Sequence, residues 1–352
     1  MPLDSKSGLY PVFKKAAELN ASDVHCMVGH VPVFRINDVL KPDTKFPAYT
    51  RATLEKYLDE MLSKEQRERY YREREFDRSL VLPDGERFRM NLFWEKGNPA
   101  LAARYIPREI PSLDDLMAPE AVYDFVKRDM GLVLVTGPSG VGKSTLLASM
   151  IEEINLTTKR HILTLEDPIE FMYTSKESVI AQREYGSDFL SFEEGLKHVL
   201  RQDPDVILVG EMRNLETIAA TITLAETGHL VLATLHTNNA PETIDRIVNA
   251  FLASEQQQIR LQLAMVLVGV ISQILLPKVD GTLIAAHEVL VNNVAIGNLI
   301  RENKTNQIQN VLYSSPDEHM NTLDQELKWL LQEGFVTRET ARAHARNPDM
   351  LD

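Results

Sequence analysis

The apolar positions of this chain change rhythm about a third of the way along it. Residues 9–19 repeat at helical spacing, whereas residues 23–28 and 33–36 alternate as strands do. Residues 54–74 are charge-rich and helix-prone, and their charges read as a solvated face. Residues 81–85 (Val-Leu-Pro-Asp-Gly) are a turn signal. The stretch 86–93 then alternates polar and apolar like a half-buried strand, and residues 101–106 supply the next one. Prolines punctuate residues 106–111 and recur at Pro119, which predicts a first domain over 1–107, a linker over 108–118 and a second domain over 119–352.

Beyond that linker, short apolar runs at residues 131–136, 161–166, 205–210 and 229–235 are separated by helical segments, the pattern of a parallel sheet flanked by helices. Each run is followed at once by polar residues, so four loops are expected to meet at one edge of the sheet, beyond the carboxyl ends of its strands. From Pro241 onward the chain reads as helical. Residues 263–276 are its most apolar stretch, too short to span a bilayer and best read as a buried helix. Thr322 and Gln325 form a capping box ahead of Leu323, Leu327, Leu330 and Leu331. There is no internal repeat.

The first of the four loops carries the least ambiguous chemistry. Gly137, Pro138, Ser139, Gly140, Val141, Gly142, Lys143, Ser144 and Thr145 satisfy the phosphate-loop pattern of Gly, four residues, Gly, Lys and Ser/Thr, between an apolar strand and a helical stretch over 146–154. The glycines let successive amide hydrogens converge on phosphate oxygens at the positive end of the helix. Lys143 reaches the β and γ phosphates, and Ser144 places its hydroxyl on Mg²⁺. The chain is therefore expected to bind ATP with Mg²⁺.

Cleavage of that triphosphate needs carboxylates and a means of neutralising charge. Glu211 ends the apolar run 205–210 and is the expected metal-water ligand, with Ser144. Glu166 and Glu170 lie where the neighbouring strand ends, and Glu170 is the first choice as base for the attacking water. His229 and His236 bracket the next strand, where a histidine either reports the γ phosphate or orients a loop. Arg89 and Arg104 lie on adjacent predicted strands of the other domain, either as surface arginines or as groups reaching a nucleotide across an interface.

Composition narrows the class. The 352 residues are 44% hydrophobic and 25% charged, ordinary for a globular chain of two domains. The 38 basic and 51 acidic side chains give a net charge of −13, which argues against nucleic acid as substrate. Cys26, the single cysteine, excludes an internal disulfide and a cysteine-rich zinc site and fits the cytoplasm. The histidines show no metal-ligand spacing. The N-terminus lacks an apolar signal core, so membrane association is expected only through a partner.

Taken in order, the phosphate loop, the acidic box 163–171, the run 200–213, the histidine box 225–237 and residues 295–302 (Ala-Ile-Gly-Asn-Leu-Ile-Arg-Glu) resemble the secretion ATPase superfamily, specifically the PilT-type retraction ATPases of type IV pili, over nearly the whole chain. The resemblance implies a PAS-like N-terminal α+β domain, then a RecA-like P-loop domain with a helical C-terminal region. It further implies a homohexamer with nucleotide bound between the two domains. In that reading Glu170 and Glu211 are the catalytic and Walker B glutamates, and Arg89 and Arg104 are arginine fingers. The implied partners are a platform protein of the inner membrane and a second pilus ATPase, at the cytoplasmic side of the pilus base. Gly297 departs from the pattern, which usually has Arg there, in a motif associated with retraction rather than hydrolysis. The alternatives are an accessory retraction ATPase, a motor of a related secretion or conjugation machine, a nucleotide-binding ring component without turnover, and a nucleic-acid motor.

Overall fold

Val12, Phe13 and Ala16 recur on one face and are buried, which makes α1 (Tyr10–Glu18) an amphipathic helix laid on a core. It belongs to the first of two units into which the computed structural model divides, Met1–Glu109 and Ile110–Asp352, with residues 7–36, 39–106 and 109–351 described. Residues 1–6, part of the N-terminus expected to lack a signal core, and Pro107 and Arg108 at the expected boundary lie outside the described residues.

In the first unit, β1 (Asp23–Met27), β2 (Val33–Ile36), β3 (Val39–Pro42), β4 (Glu75–Val81), β5 (Arg87–Glu95) and β6 (Asn98–Ile106) form an antiparallel sheet in the order β3-β2-β1-β6-β5-β4. One face buries Val24, Phe34, Leu80, Phe88 and Leu101 beneath α1, α2 (Arg51–Met61) and α3 (Lys64–Glu73). Ser63 separates those last two helices, capping α3 through a reciprocal box with Gln66. The charge-rich stretch is thus two helices. Gly85, at φ +88°, makes the predicted turn between β4 and β5.

The second unit contains α4 (Glu120–Val126), β7 (Gly131–Thr136), α5 (Lys143–Thr157), β8 (His161–Glu166), β9 (Val179–Glu184), α6 (Phe192–Val199), β10 (Val206–Val209), α7 (Leu215–Glu226) and β11 (Leu230–Leu235). It continues with α8 (Ala240–Val248), α9 (Gln256–Val266), β12 (Leu267–Pro277), β13 (Leu283–Val291), α10 (Val294–Arg301), α11 (Ile308–Ser314), α12 (Leu323–Gln332) and α13 (Arg338–His344). The sheet order is β13-β12-β7-β11-β10-β8-β9, parallel throughout except for the β12–β13 pair. Leu132 and Leu134 of β7 enter one core, Val133 and Val135 the other. A sheet covered on both faces is why its central strands read as unbroken apolar runs.

Two expectations fail here. Residues 263–276 are not a helix: α9 ends at Val266, and Leu267–Pro277 is β12. The region after Pro241 is consequently not all helical, because β12 and β13 form a long antiparallel pair within it. A short apolar run carries no period that separates a buried strand from a buried helix. Gly269 fits the strand, since a side chain there would meet the Phe125 ring at 2.2 Å and the Leu290 carbonyl at 2.6 Å. The capping box of Thr322 and Gln325 on α12 is present as expected. The segment after α13 is tied back by Arg346, which pairs with the buried Glu288 of β13 and donates to the Asn238 carbonyl at 3.0 Å.

Candidate functional site

The carboxyl ends of β7, β11, β10 and β8 lie side by side, and the polar residues that follow them meet. Residues 137–142 turn from β7 into α5 with Gly137, Gly140 and Gly142 at φ +141°, +81° and +89°, a left-handed region that other residues adopt only with strain. Lys143 opens α5, followed by Ser144 and Thr145 in its first turn, where backbone N–H groups have no helical partner.

Lys143 is almost fully buried, and its ammonium donates to the carbonyls of Gly137 and Pro138 at 2.7 Å each. Burial pulls its pKa down, opposed by the charges of Glu211 and Glu170. His236, just beyond β11, places Nδ1 3.5 Å from Lys143 Nζ and Nε2 3.1 Å from Glu211 Oε1. An ammonium only donates, so Nδ1 accepts and the ring proton belongs on Nε2, facing the carboxylate. The other Glu211 oxygen accepts from Arg213 Nε at 2.8 Å, and Arg213 also donates to Asp167 at 3.0 Å. One chain of charged and polar groups therefore runs Lys143, His236, Glu211, Arg213, Asp167 across the strand ends.

Glu166 and Glu170 differ in surroundings. Glu166 is 8% exposed and accepts hydrogen bonds from Thr164 Oγ1 at 2.6 Å and Gln182 Nε2 at 3.2 Å. Burial pushes its carboxyl up to about 7, which those hydrogen bonds and one from the Glu170 backbone oppose. Glu170 is exposed, and its charge acts on both Lys143 and Glu166.

Of the residues picked out in the sequence, the structure brings together the phosphate loop, Lys143, Glu166, Glu170, Glu211 and His236. It does not bring His229 there. That residue precedes the amino end of β11, its carbonyl bonded to the Gly131 N–H and its ring beside the Leu224 carbonyl and Thr227. At about 3.3 Å of rise per residue it lies roughly 20 Å from His236, at the opposite edge of the sheet. Bracketing a strand is the reason: its two ends face opposite edges. Arg89 and Arg104 belong to the first unit, directly opposite each other on β5 and β6 with both side chains exposed, and Arg104 pairs with Asp23 at 3.0 Å.

A buried lysine on a glycine loop, a histidine and an acid from successive parallel strands define a RecA-like phosphate-loop ATPase. The family follows from comparison. Residues 113–316 match the model of the type II/IV secretion system protein family, and the chain belongs to that family. It is 41% identical over 334 residues to the type IV pilus retraction ATPase PilT of Pseudomonas aeruginosa, covering 95% of this chain and 97% of that one. It is 48% identical over 292 residues to a twitching motility protein of Neisseria gonorrhoeae, covering 83% and 78%. A crystal structure of the pilus retraction motor PilT with bound ADP superposes with a TM-score of 0.90 at 44% identity, over 96% of this chain and 97% of that one.

Sequence reasoning assigned no role to Arg213, Asp167 or Gln273. Arg213 stands two residues after the acid that ends a strand, a placement that could have drawn notice. Gln273 interrupts an apolar run and donates to the Val141 carbonyl at 2.5 Å. No spacing rule links residues so far apart in the chain.

Proposed function

We propose that this chain is the ATP-hydrolysing motor of type IV pilus retraction, working as a homohexamer. The observation that carries this reading is the Lys143–His236–Glu211 constellation on the phosphate loop, in a chain alike from end to end to a pilus retraction ATPase. The backbone N–H groups of residues 139–145 hold the β phosphate, and Lys143 exchanges the carbonyls of Gly137 and Pro138 for phosphate oxygens. Ser144 and Glu211 offer hard oxygen donors that suit Mg²⁺, which when bound neutralises charge on the β and γ oxygens. Glu170 is the base that orients and deprotonates water, since it is solvent-accessible and close enough to influence Lys143. Glu166 shapes the acidic loop from within, through its hydrogen bonds to Thr164 and Gln182. His236 links the γ position to Glu211 and so reports nucleotide state.

Arg89 and Arg104 act on the transferring phosphoryl group as arginine fingers. Nucleotide state changes the preferred packing of domains, and the ring transmits this to a platform protein of the inner membrane from the cytoplasmic side. A second pilus ATPase is a further partner. Nucleic acid is not a substrate for a chain of net charge −13. No helix among the described residues is long and apolar enough to cross a membrane.

A second reading, an accessory retraction ATPase, draws on Gly297, which lies buried in α10 at the position where the resemblance to the retraction type implies Arg. A strain deleted for this gene and complemented with wild type or with Glu211→Ala separates the two. Wild type alone restoring twitching supports the main motor. Full twitching in the uncomplemented deletion supports the accessory role.

A further inference from the structure

The phosphate loop is held from outside by a neighbouring strand. β12 runs parallel to β7 with Ser272 opposite Thr136, their hydroxyls bonded at 2.9 Å, so Gln273 comes level with Gly137 at the point where the loop begins. Gln273 is 4% exposed. Its Nε2 donates to the Val141 carbonyl at 2.5 Å, and its Oε1 is buried without a hydrogen-bond partner. The amide orientation is fixed by this, because the reverse would set oxygen against oxygen. Two glycines of the motif are shaped by the same residue. A Cβ on Gly137 would lie 2.3 Å from the Gln273 carbonyl oxygen, and one on Gly142 would lie 3.0 Å from Nε2.

We propose that Gln273 is a positioning residue for phosphate binding, its amide gripping the Val141 carbonyl so that the Gly142 N–H is aimed at the nucleotide. In a trans peptide the C=O and the following N–H point in opposite directions. A carbonyl anchored on Gln273 therefore turns the Gly142 N–H away from β12, toward the open side of the loop. Only a side chain of this length with a neutral donor does this. Glutamate would oppose the carbonyl with like polarity and set a negative charge beside the phosphates, and methionine would fill the space without donating.

This rests on the reading of the loop as an ATP site, and the test separates the two. Calorimetric titration of the full chain with Mg-ADP needs no turnover. For Gln273→Met, loss of one ordering hydrogen bond is expected to weaken ADP about tenfold and raise KM for ATP in step, leaving kcat within about threefold. The melting temperature without nucleotide is expected to stay near wild type. Gln273→Glu guards against a methionine variant that fails to fold, and is expected to weaken ADP further still. ADP affinity unchanged from wild type in whichever variant folds overturns the proposal, as does a loss confined to kcat. Wild-type protein that binds ADP but releases no phosphate from ATP counts against the motor reading alone.

Discussion

Replacing Glu166 by glutamine tests the electrostatics of the acidic loop while keeping its hydrogen bonds from side chains. Both the Thr164 hydroxyl and the Gln182 amide donate to Oε1, which glutamine retains. Glu166 titrates near its ordinary 4.5 in the unfolded chain and at about 7 in the folded one, where burial disfavours the charged form. Between those values the folded state holds a proton that the unfolded state has released. Stability from the neutral carboxyl is thus complete below about pH 4.5 and is lost as pH rises through 7. At about 1.4 kcal/mol per pKa unit, wild type should fall behind Glu166→Gln by about 3 kcal/mol at pH 8 and by about 1 kcal/mol at pH 5. For a domain of this size that is a gap in Tm of about 6–12 °C at pH 8, narrowing to a few degrees at pH 5. Glu326, pushed up to about 7, and His287, pushed down to about 4 by burial, titrate in both proteins and cancel in the difference. Thermal melts of the pair across pH 5–8 read the gap. A gap independent of pH, or one that closes as pH rises, refutes the reasoning.

Substitutions at two further positions probe the acidic loop and the late helix. Arg213→Ala should lower kcat on the order of 10- to 100-fold with little change in KM, because it frees the Glu211 carboxylate and the Asp167 loop from a shared guanidinium. Arg213→Lys should not restore the rate, since one ammonium does not reproduce the fork, and recovery in steady-state assays would contradict this. Gly297→Ala should stabilise the protein by about 0.5–1 kcal/mol, as glycine is a poor residue within a helix. A Cβ there meets the Arg301 guanidinium at an ordinary 3.5 Å, so a fall in Tm would show that the buried face of α10 has less room than this distance implies.

The parallel sheet was legible because its strands are buried on both faces, so that β7, β8, β10 and β11 appear as compact apolar runs ending in polar residues. The phosphate loop was legible for a stronger reason: its chemistry is local and its glycines have no substitute. β9 and the short edge strand β3 went unnoticed, the first half-buried and the second exposed throughout. β12 reads as a helix in the sequence, since its period is masked by burial. His229 and His236 look equivalent along the chain, and only parallel strand direction assigns one to the nucleotide edge and the other to the far edge. Gln273 acts on Val141 through a contact that exists only after β12 joins β7. Such pairings are written in the fold rather than in any local motif.

Phosphate release from Mg-ATP by the purified 352-residue chain, set against Lys143→Ala and Glu170→Gln, decides whether this site hydrolyses ATP. Wild type should turn over and both variants should release phosphate only at background, with Glu170→Gln still binding ATP and Lys143→Ala binding it poorly. Wild type at background, or either variant at the wild-type rate, would contradict hydrolysis at this site.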